Sequence, residues 1–449
     1  AGDLASNCSY GLVASFVLLY LTGTMGLDSA IIGSLMLASK VLDGISDVIF
    51  GTLIDRTHSK LGKARPWMLF GQVGVSLCLF LLFAIPAGST TMQYIYFFIV
   101  YTALNAVFYT ANGIAYSSLV ALITKNNNER VQLGSFRFMF AVVTNIFMGF
   151  AVTGMVEKFG SGAAGWRTTA LIFAIVGLVV NTISCLAVKE LPEEELSGNT
   201  SEAAEEGKAV AEEKKHGFAE TAKVLVHNKY YLMILAIYIV YYIMSNLTTG
   251  AGVFCATYYW GDGSLLGQFS MMKMFPVIIA LAIAPVLIKK TGSMQKVNFW
   301  GYAISSVLGI PMIYFAMQKN LSMFLLFMFI KGIFAGTLSG SLNALIAEAS
   351  GYTTRTTGIH MDGMMYSCSS LGVKVGGGIG TAAVGWLLKL GGFVGTATVQ
   401  SESAIRMIFN LYITFPFVIG IIITVLLAFL DVEKANKKWD AEHKKEAQA

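Results

Sequence analysis

Long apolar runs recur along this chain, and they restrict it more than any other feature. A run of about 20 predominantly apolar residues can cross a bilayer as a helix, and twelve such stretches can be read in the sequence. They cover 3–24, 30–54, 67–85, 92–123, 131–159, 167–188, 230–255, 269–288, 297–317, 322–349, 361–390 and 405–430. Within hydrocarbon every backbone N–H and C=O has to be paired inside the segment, so each run is expected as a helix. Only 13% of the residues are charged and 55% are hydrophobic, against about 25% charged in a soluble protein. The expected fold class is an all-α membrane protein: twelve transmembrane helices in two pseudo-symmetric six-helix bundles.

The first bundle is expected over 1–189 and the second over 230–430. Between them, 190–229 is mixed in charge and poor in apolar residues, which reads as a cytoplasmic linker. The end, 431–449, reads as a charged, solvated cytoplasmic tail. A short internal repeat supports the halving. Leu53-Ile54-Asp55-Arg56-Thr57 recurs in kind as Leu287-Ile288-Lys289-Lys290-Thr291, each where the second span of a half ends. Arg56, Lys60, Lys63 and Arg65 follow the second span, whereas no Lys or Arg lies in the connections after the first and third. Basic residues collect in cytoplasmic loops, so both termini are expected in the cytoplasm of a bacterial inner (plasma) membrane protein. The chain begins at Ala1, not Met, and further leading residues are expected before it.

The net charge of +5 sits mostly at the ends of apolar runs. It is a topology signal and does not form a nucleic-acid patch. Five cysteines lie inside apolar runs with no CxxC or Cys/His grouping, which argues against a zinc site and structural disulfides. No nucleophile–base pairing or metal-ligand cluster stands out, so no enzyme and no cofactor is expected.

What remains is charge within the membrane. Asp3, Asp43 and Asp47 fall inside spans, as do Lys40, Arg137, Lys273, Lys331 and Lys374. A carboxylate at the centre of a spanning helix costs about 2.5–3.5 kcal/mol on insertion scales, and such groups normally face a bundle interior or a wet cavity. Asp43 and Asp47 are four residues apart and so share one helix face, with Lys40 a turn earlier. Lys40 either neutralises one of them or takes part in their function. This pattern suits a transporter with a hydrated site near the midplane; a channel more often repeats one polar ring.

DGISD in the second span, the GTLIDRTHSKLGKARPW that follows, the arginine in SFRFMF and the late GVKVGGGIG together resemble the glycoside–pentoside–hexuronide:cation symporters. GDLASN at the start and Arg355-Thr356-Thr357-Gly358 are similar to that family too, and the likeness covers nearly the whole chain. The resemblance implies a major facilitator fold and cation-coupled uptake of a sugar or glycoside. It implies a site for Na⁺ or H⁺ at Asp43 and Asp47, with Ser46 where the melibiose carrier has asparagine, and Thr110. A sugar site is implied at Asp3, with Asn7 and Tyr10 on the same face. Tyr109, Asn112 and Tyr116 form a helical stripe that would join it, and Arg137 and Lys374 match family positions at the pocket. Asp55 and Arg56, with Lys289 and Lys290, would latch the cytoplasmic side. The melibiose carrier's second sugar-binding aspartate falls on Gly113, and that loss makes an acidic hexuronide a candidate beside neutral glycosides. The expected partners are a small sugar or glycoside and the lipid bilayer, around a monomeric chain. A lysolipid carrier on a similar fold would need a wide apolar cavity, and a sensor or scaffold without transport would have no use for buried Asp43 and Asp47.

Overall fold

The computed structural model describes residues 2–124, 126–191, 224–358, 362–397 and 399–446, so most of the expected linker lies outside the described residues. Regular structure among the described residues is helical throughout. Eleven helices there are long and apolar enough to cross a membrane. The remaining expected span, Ser29–Asp55, is a helix of 27 residues that holds Lys40, Asp43 and Asp47 and is not among the eleven.

In chain order, α1 (Gly2–Leu19) runs into a π-helical turn at Tyr20–Thr24. Next come α2 (Ser29–Asp55), α3 (Arg65–Leu82) and α4 (Thr90–Thr102). A π-helical segment at Ala103–Tyr109 joins α4 to α5 (Thr110–Ile123), and α6 (Asn127–Lys158) and α7 (Gly162–Leu186) follow. The later helices are α8 (Lys229–Phe254), α9 (Leu265–Thr291), α10 (Met294–Met317), α11 (Leu321–Thr357) and α12 (Asp362–Leu390). The chain closes with α13 (Glu402–Phe409), α14 (Phe415–Phe429) and α15 (Val432–Glu446). Side-chain caps start several of these helices, satisfying N–H groups that have no partner in a first turn. Asp28 caps α2, Ser89 α4, Ser293 α10, Asn320 α11 and Ser401 α13. The tenth span was expected to stop near 349, but α11 continues to Thr357, where Gly358 adopts φ +72° and ends it.

Contacts divide the chain into two compact units. One holds Ala1–Gly198 together with Ser245–Met271 and Gly377–Tyr412; the other holds Asn199–Met244, Met272–Gly376 and Ile413–Ala449. In the first unit, α1 lies on α6 and α7, α3 on α5 and α7, and α2 on α4 and α5. The later part of α12 belongs to this unit and packs closely on the start of α2. The Ser29 hydroxyl donates to the Gly385 carbonyl at 2.9 Å, and the Trp386 indole N–H donates to Ser34 Oγ at 2.9 Å. Asp28 forms an ion pair with Lys389. Burial alone would raise the Asp28 pKa, but Lys389 and two backbone N–H groups hold it below the usual carboxylate range.

In the second unit α10 packs on α11 and α14, around a core that includes Tyr302, Leu338, Leu345, Ile346 and Ile423. Here the structure corrects the sequence reading of the tail. The segment after Asp431 is not solvated throughout: the start of α15 is docked, with Val432 fully buried and Glu433 and Asn436 only 8% and 7% exposed, while Lys434, Lys438 and Glu442 are exposed. Asn436 donates to Glu348 Oε2 at 2.8 Å, Arg355 donates to Asn436 at 3.1 Å, and Lys437 donates to the Gly292 carbonyl at 2.9 Å. The many charges of α15 concealed this, because its apolar side is narrow and its fixings are polar.

Each unit carries the same fastening. Glu190, just past α7, accepts from the backbone N–H groups of Lys63, Ala64 and Arg65 at 2.7, 3.0 and 3.0 Å, at the start of α3. Glu433, just past α14, accepts from the Gln295 N–H at 3.0 Å and from the Ser293 hydroxyl, at the start of α10. A carboxylate there meets both the unpaired N–H groups and the positive end of the helix dipole. Hydrogen bonds to a charged group contribute about 1.5–3 kcal/mol. Glu190→Ala and Glu433→Ala should therefore each lower the thermal unfolding midpoint of the purified protein by several degrees. The corresponding Gln variants, which still accept, should recover much of the loss.

Candidate functional site

Asp43 is the most deeply placed carboxylate among the expected site residues, at 3% exposure in the middle of α2. Its Oδ1 accepts from the Thr110 hydroxyl at 2.6 Å, and its Oδ2 pairs with Lys40 Nζ at 3.3 Å. A buried carboxylate is tolerable only when paired and hydrogen-bonded, and both conditions hold. The sequence left two roles open for Lys40, and the structure gives it Asp43 as its ion-pair partner. Asp47 lies one turn on and is half-buried. Ser46 is beside them, but its hydroxyl donates to the Asp43 backbone carbonyl at 2.9 Å.

A local irregularity delivers Thr110. The π-helical segment Ala103–Tyr109 ends where the Thr110 N–H and its hydroxyl both reach the Asn105 carbonyl, the hydroxyl at 2.9 Å. The wider turn shifts the phase of everything after it. π-turns inside α-helices often mark functional positions, and this one brings Thr110 to Asp43. Nothing in the sequence signals it.

A second cluster forms where α1, α5 and α6 meet. Asp3 Oδ2 accepts from the Tyr116 hydroxyl at 2.7 Å and from Arg137 Nε at 2.9 Å, and Arg137 Nη2 lies 3.4 Å from Oδ1. This two-pronged pairing fixes the plane of the carboxylate, and the guanidinium also sits 4.4 Å from the Tyr116 ring centroid. Asn7 donates to the Asp3 carbonyl at 2.7 Å and accepts from Asn145 at 3.0 Å. Tyr10 stacks on Tyr109, with ring centroids 5.8 Å apart at 29°.

Other expected residues lie elsewhere. Asn112 donates to Gln72 of α3 at 3.0 Å and is 1% exposed, turned toward α3. Lys374 is half-buried on the part of α12 that belongs to the second unit. Asp55, Arg56, Lys289 and Lys290 are all exposed, and none forms an ion pair among the described residues.

Beside the Asp43 cluster is a cavity of about 20 Å³ that Tyr10, Lys40, Asn105, Asn246, Thr249 and Thr381 help to line. That is on the order of one water molecule. Asn246, Thr249 and Thr381 come from α8 and α12 and were not singled out in the sequence. Single amides and hydroxyls in an apolar helix also serve as interhelical hydrogen bonds, so spacing alone could not mark them. Gly378 allows this approach, since a Cβ there would meet Leu37 at 2.9 Å and Lys40 at 3.3 Å.

A buried acid held by a lysine and a hydroxyl, with a second, half-buried acid one turn on, next to a cluster of amides, phenols and one arginine, suits a carrier of small polar solutes. A family model described as MFS/sugar transport protein matches residues 1–434, and the chain belongs to that family. It is 26% identical over 444 residues to an isoprimeverose transporter of Lactiplantibacillus pentosus, covering 98% of this chain and 89% of the relative. It is 23% identical over 397 residues to a glucuronide carrier protein homolog of Escherichia coli (strain K12), covering 88% and 82%. Among solved structures, a study of proton dependent oligopeptide transporters matches with a TM-score of 0.64 at 14% identity, over 97% of this chain and 98% of that one. The nucleoside transporter NupG matches at 0.59 and 12%, over 95% and 98%. At such identities the solved structures speak for the fold alone: it is a major facilitator-type transporter fold.

Proposed function

We propose that the chain is a secondary active symporter that couples Na⁺ or H⁺ to uptake of a sugar, glycoside or hexuronide by alternating access. The observation that carries this reading is the Asp43 carboxylate, buried on a spanning helix and held between the Thr110 hydroxyl and Lys40. Relatives named for isoprimeverose and for glucuronide support a saccharide or glycoside as cargo. Both termini face the cytoplasm of a bacterial inner membrane in this reading, and the working unit is a monomer of two six-helix halves.

A cation enters at Asp43 and Asp47, with Thr110 and Ser46 as neighbouring oxygens. Hard cations prefer oxygen ligands, and a carboxylate can take a proton in place of Na⁺. Charge compensation there relieves Lys40 of its role as counter-ion and lets α2 settle against α1 and α5. Asp3, held flat by Arg137 and Tyr116, then offers paired acceptors to neighbouring hydroxyls while Arg137 offers donors. Tyr10 and Tyr109 present an aromatic face to the apolar side of a sugar ring. Asn7, bonded to Asn145, lies beside this set, whereas Asn112 is taken up by Gln72 and Lys374 belongs to the second unit. Cation and sugar strengthen each other's binding by the same factor, because the coupling is one shared free energy. Asp55 and Arg56, with Lys289 and Lys290, latch the cytoplasmic side when the carrier faces outward.

The test is uptake of neutral and acidic sugars into proteoliposomes, with Na⁺ and proton gradients imposed separately. At least one sugar should accumulate above its external concentration under one gradient and only equilibrate without it. Accumulation that ignores both gradients would overturn the reading.

A further inference from the structure

The first unit contains a second polar cavity, at the opposite end of α2 from the Asp28–Lys389 pair. It has a volume of about 320 Å³ and lies between the α2–α3 connection, the end of α5 and the chain leaving α7. That is the lower end of the range of small-molecule pockets, roughly 300–1,000 Å³. Four lysine and arginine side chains line it, Lys60, Lys63, Arg65 and Lys189, together with His58. The one carboxylate there among the described residues, Glu190, is committed to three backbone N–H groups and sits against the positive end of α3. Its charge is therefore largely answered before the lysines are considered.

Three of these cations are held in different ways. Arg65 is fixed by bonds from Nε to the Cys185 carbonyl at 3.1 Å and from Nη1 to the Leu61 carbonyl at 3.4 Å. Lys60 and Lys189 are exposed and make no ion pair or side-chain hydrogen bond among the described residues. A cavity with a positive excess and two unengaged ammonium groups is suited to an anion. Part of the wall is apolar, supplied by Leu61, Leu122 and Leu191. A free inorganic anion gains nothing from that wall, whereas a molecule with a phosphate joined to a hydrocarbon-bearing body does. The location adds a third argument, since α2 ends at Asp55, α3 starts at Arg65 and α7 ends at Leu186, so the cavity opens where spans meet the membrane surface.

We propose that this cavity binds a phosphate-bearing anion, and that its source is the headgroup of an anionic phospholipid. Lys60 and Lys189 contact the phosphate, Arg65 and Lys63 fix its position, and the leucines meet the glycerol and the first methylenes. Basic pockets at helix ends on one face of a membrane bundle are suited to such headgroups. This site is separate from the Asp43 and Asp3 clusters and stands whether or not the symport reading does.

Native mass spectrometry of the full chain, released from micelles carrying either phosphatidylglycerol or phosphatidylcholine, tests it. The wild type should retain phosphatidylglycerol in preference to phosphatidylcholine. K60Q and K189Q, both at exposed positions that do not endanger folding, should each weaken that retention about fivefold. Millimolar inorganic phosphate should leave the bound lipid in place. Displacement of the lipid by inorganic phosphate would reassign the site to a soluble anion and overturn the lipid proposal. Equal retention by wild type and the K60Q/K189Q double variant would overturn it as well. So would retention that rises only when Glu193, Glu194 and Glu195 are changed to Gln, since the chain's own acidic run would then be the natural occupant.

Discussion

Asp47→Asn should abolish concentrative uptake, leaving the internal sugar concentration no higher than the external one. Asp47 is half-buried one turn from Asp43, so the change removes a charge without breaking the Lys40–Asp43 pair. Sugar binding and exchange across equal concentrations should survive, because Asp3, Tyr116 and Arg137 are untouched. Asp43→Asn should remove accumulation as well, but with a second consequence. Lys40 would lose its ion-pair partner at a position where it is only 20% accessible, and breaking a buried pair costs about 3–5 kcal/mol. Asp43→Asn should therefore lower the unfolding midpoint, and Lys40→Gln in the same chain should restore it without restoring accumulation. The measurements are uptake into proteoliposomes under an imposed gradient and thermal unfolding of the purified variants. Full gradient-driven accumulation by Asp47→Asn would refute the coupling assignment.

The second large effect is expected at Gly385. A Cβ there would lie 2.2 Å from the Ser29 carbonyl oxygen and 3.2 Å from the Gly33 Cα, both backbone atoms that cannot turn aside. A Cβ at Gly33 would meet the Ala382 carbonyl oxygen at 2.7 Å from the other side. Gly385→Ala must therefore push α2 and α12 apart, and overpacking of this kind costs about 1–3 kcal/mol. A penalty of that size shifts a two-state equilibrium by roughly 5- to 150-fold. The packed arrangement of α2 on α12 should be depopulated by that factor, and uptake should fall by at least about fivefold. Met36 lines the small cavity and is 3% exposed, so a cysteine placed there reports the change. M36C should be shielded from an impermeant maleimide in the parent and labelled readily with Gly385→Ala. Equal labelling in both would show that the contact does not control access.

The fold was legible because length and apolarity act on the same elements. A run such as 167–188 can be little else than a spanning helix, and α7 covers all but its last two residues. The second span was legible for the opposite reason: DGISD is conspicuous in an apolar run, and Asp43 is indeed buried and paired with Lys40 and Thr110. Other features left no such trace. The π-helical turn before Thr110 depends on how the helix is packed and has no residue signature. Asn112 falls on the same stripe as Tyr109 and Tyr116, yet the phase shift and the nearness of Gly71 turn it toward Gln72. The docking of α15 was hidden by composition, since VEKANKKWDAEHKKE offers few apolar residues and relies on Glu433 and Asn436.

The paired fastenings at Glu190 and Glu433 bear on how the chain is made. Every residue of the first clasp lies within the opening 190 positions, so it can close as soon as that length has left the ribosome. The early helices can thus be pinned to one another while Ser245–Met271 and Gly377–Tyr412, which complete that unit, are still being synthesised. The N–H groups at the start of α3 are satisfied by Glu190 from that moment, and the second clasp repeats the step at α10 when the final helices arrive.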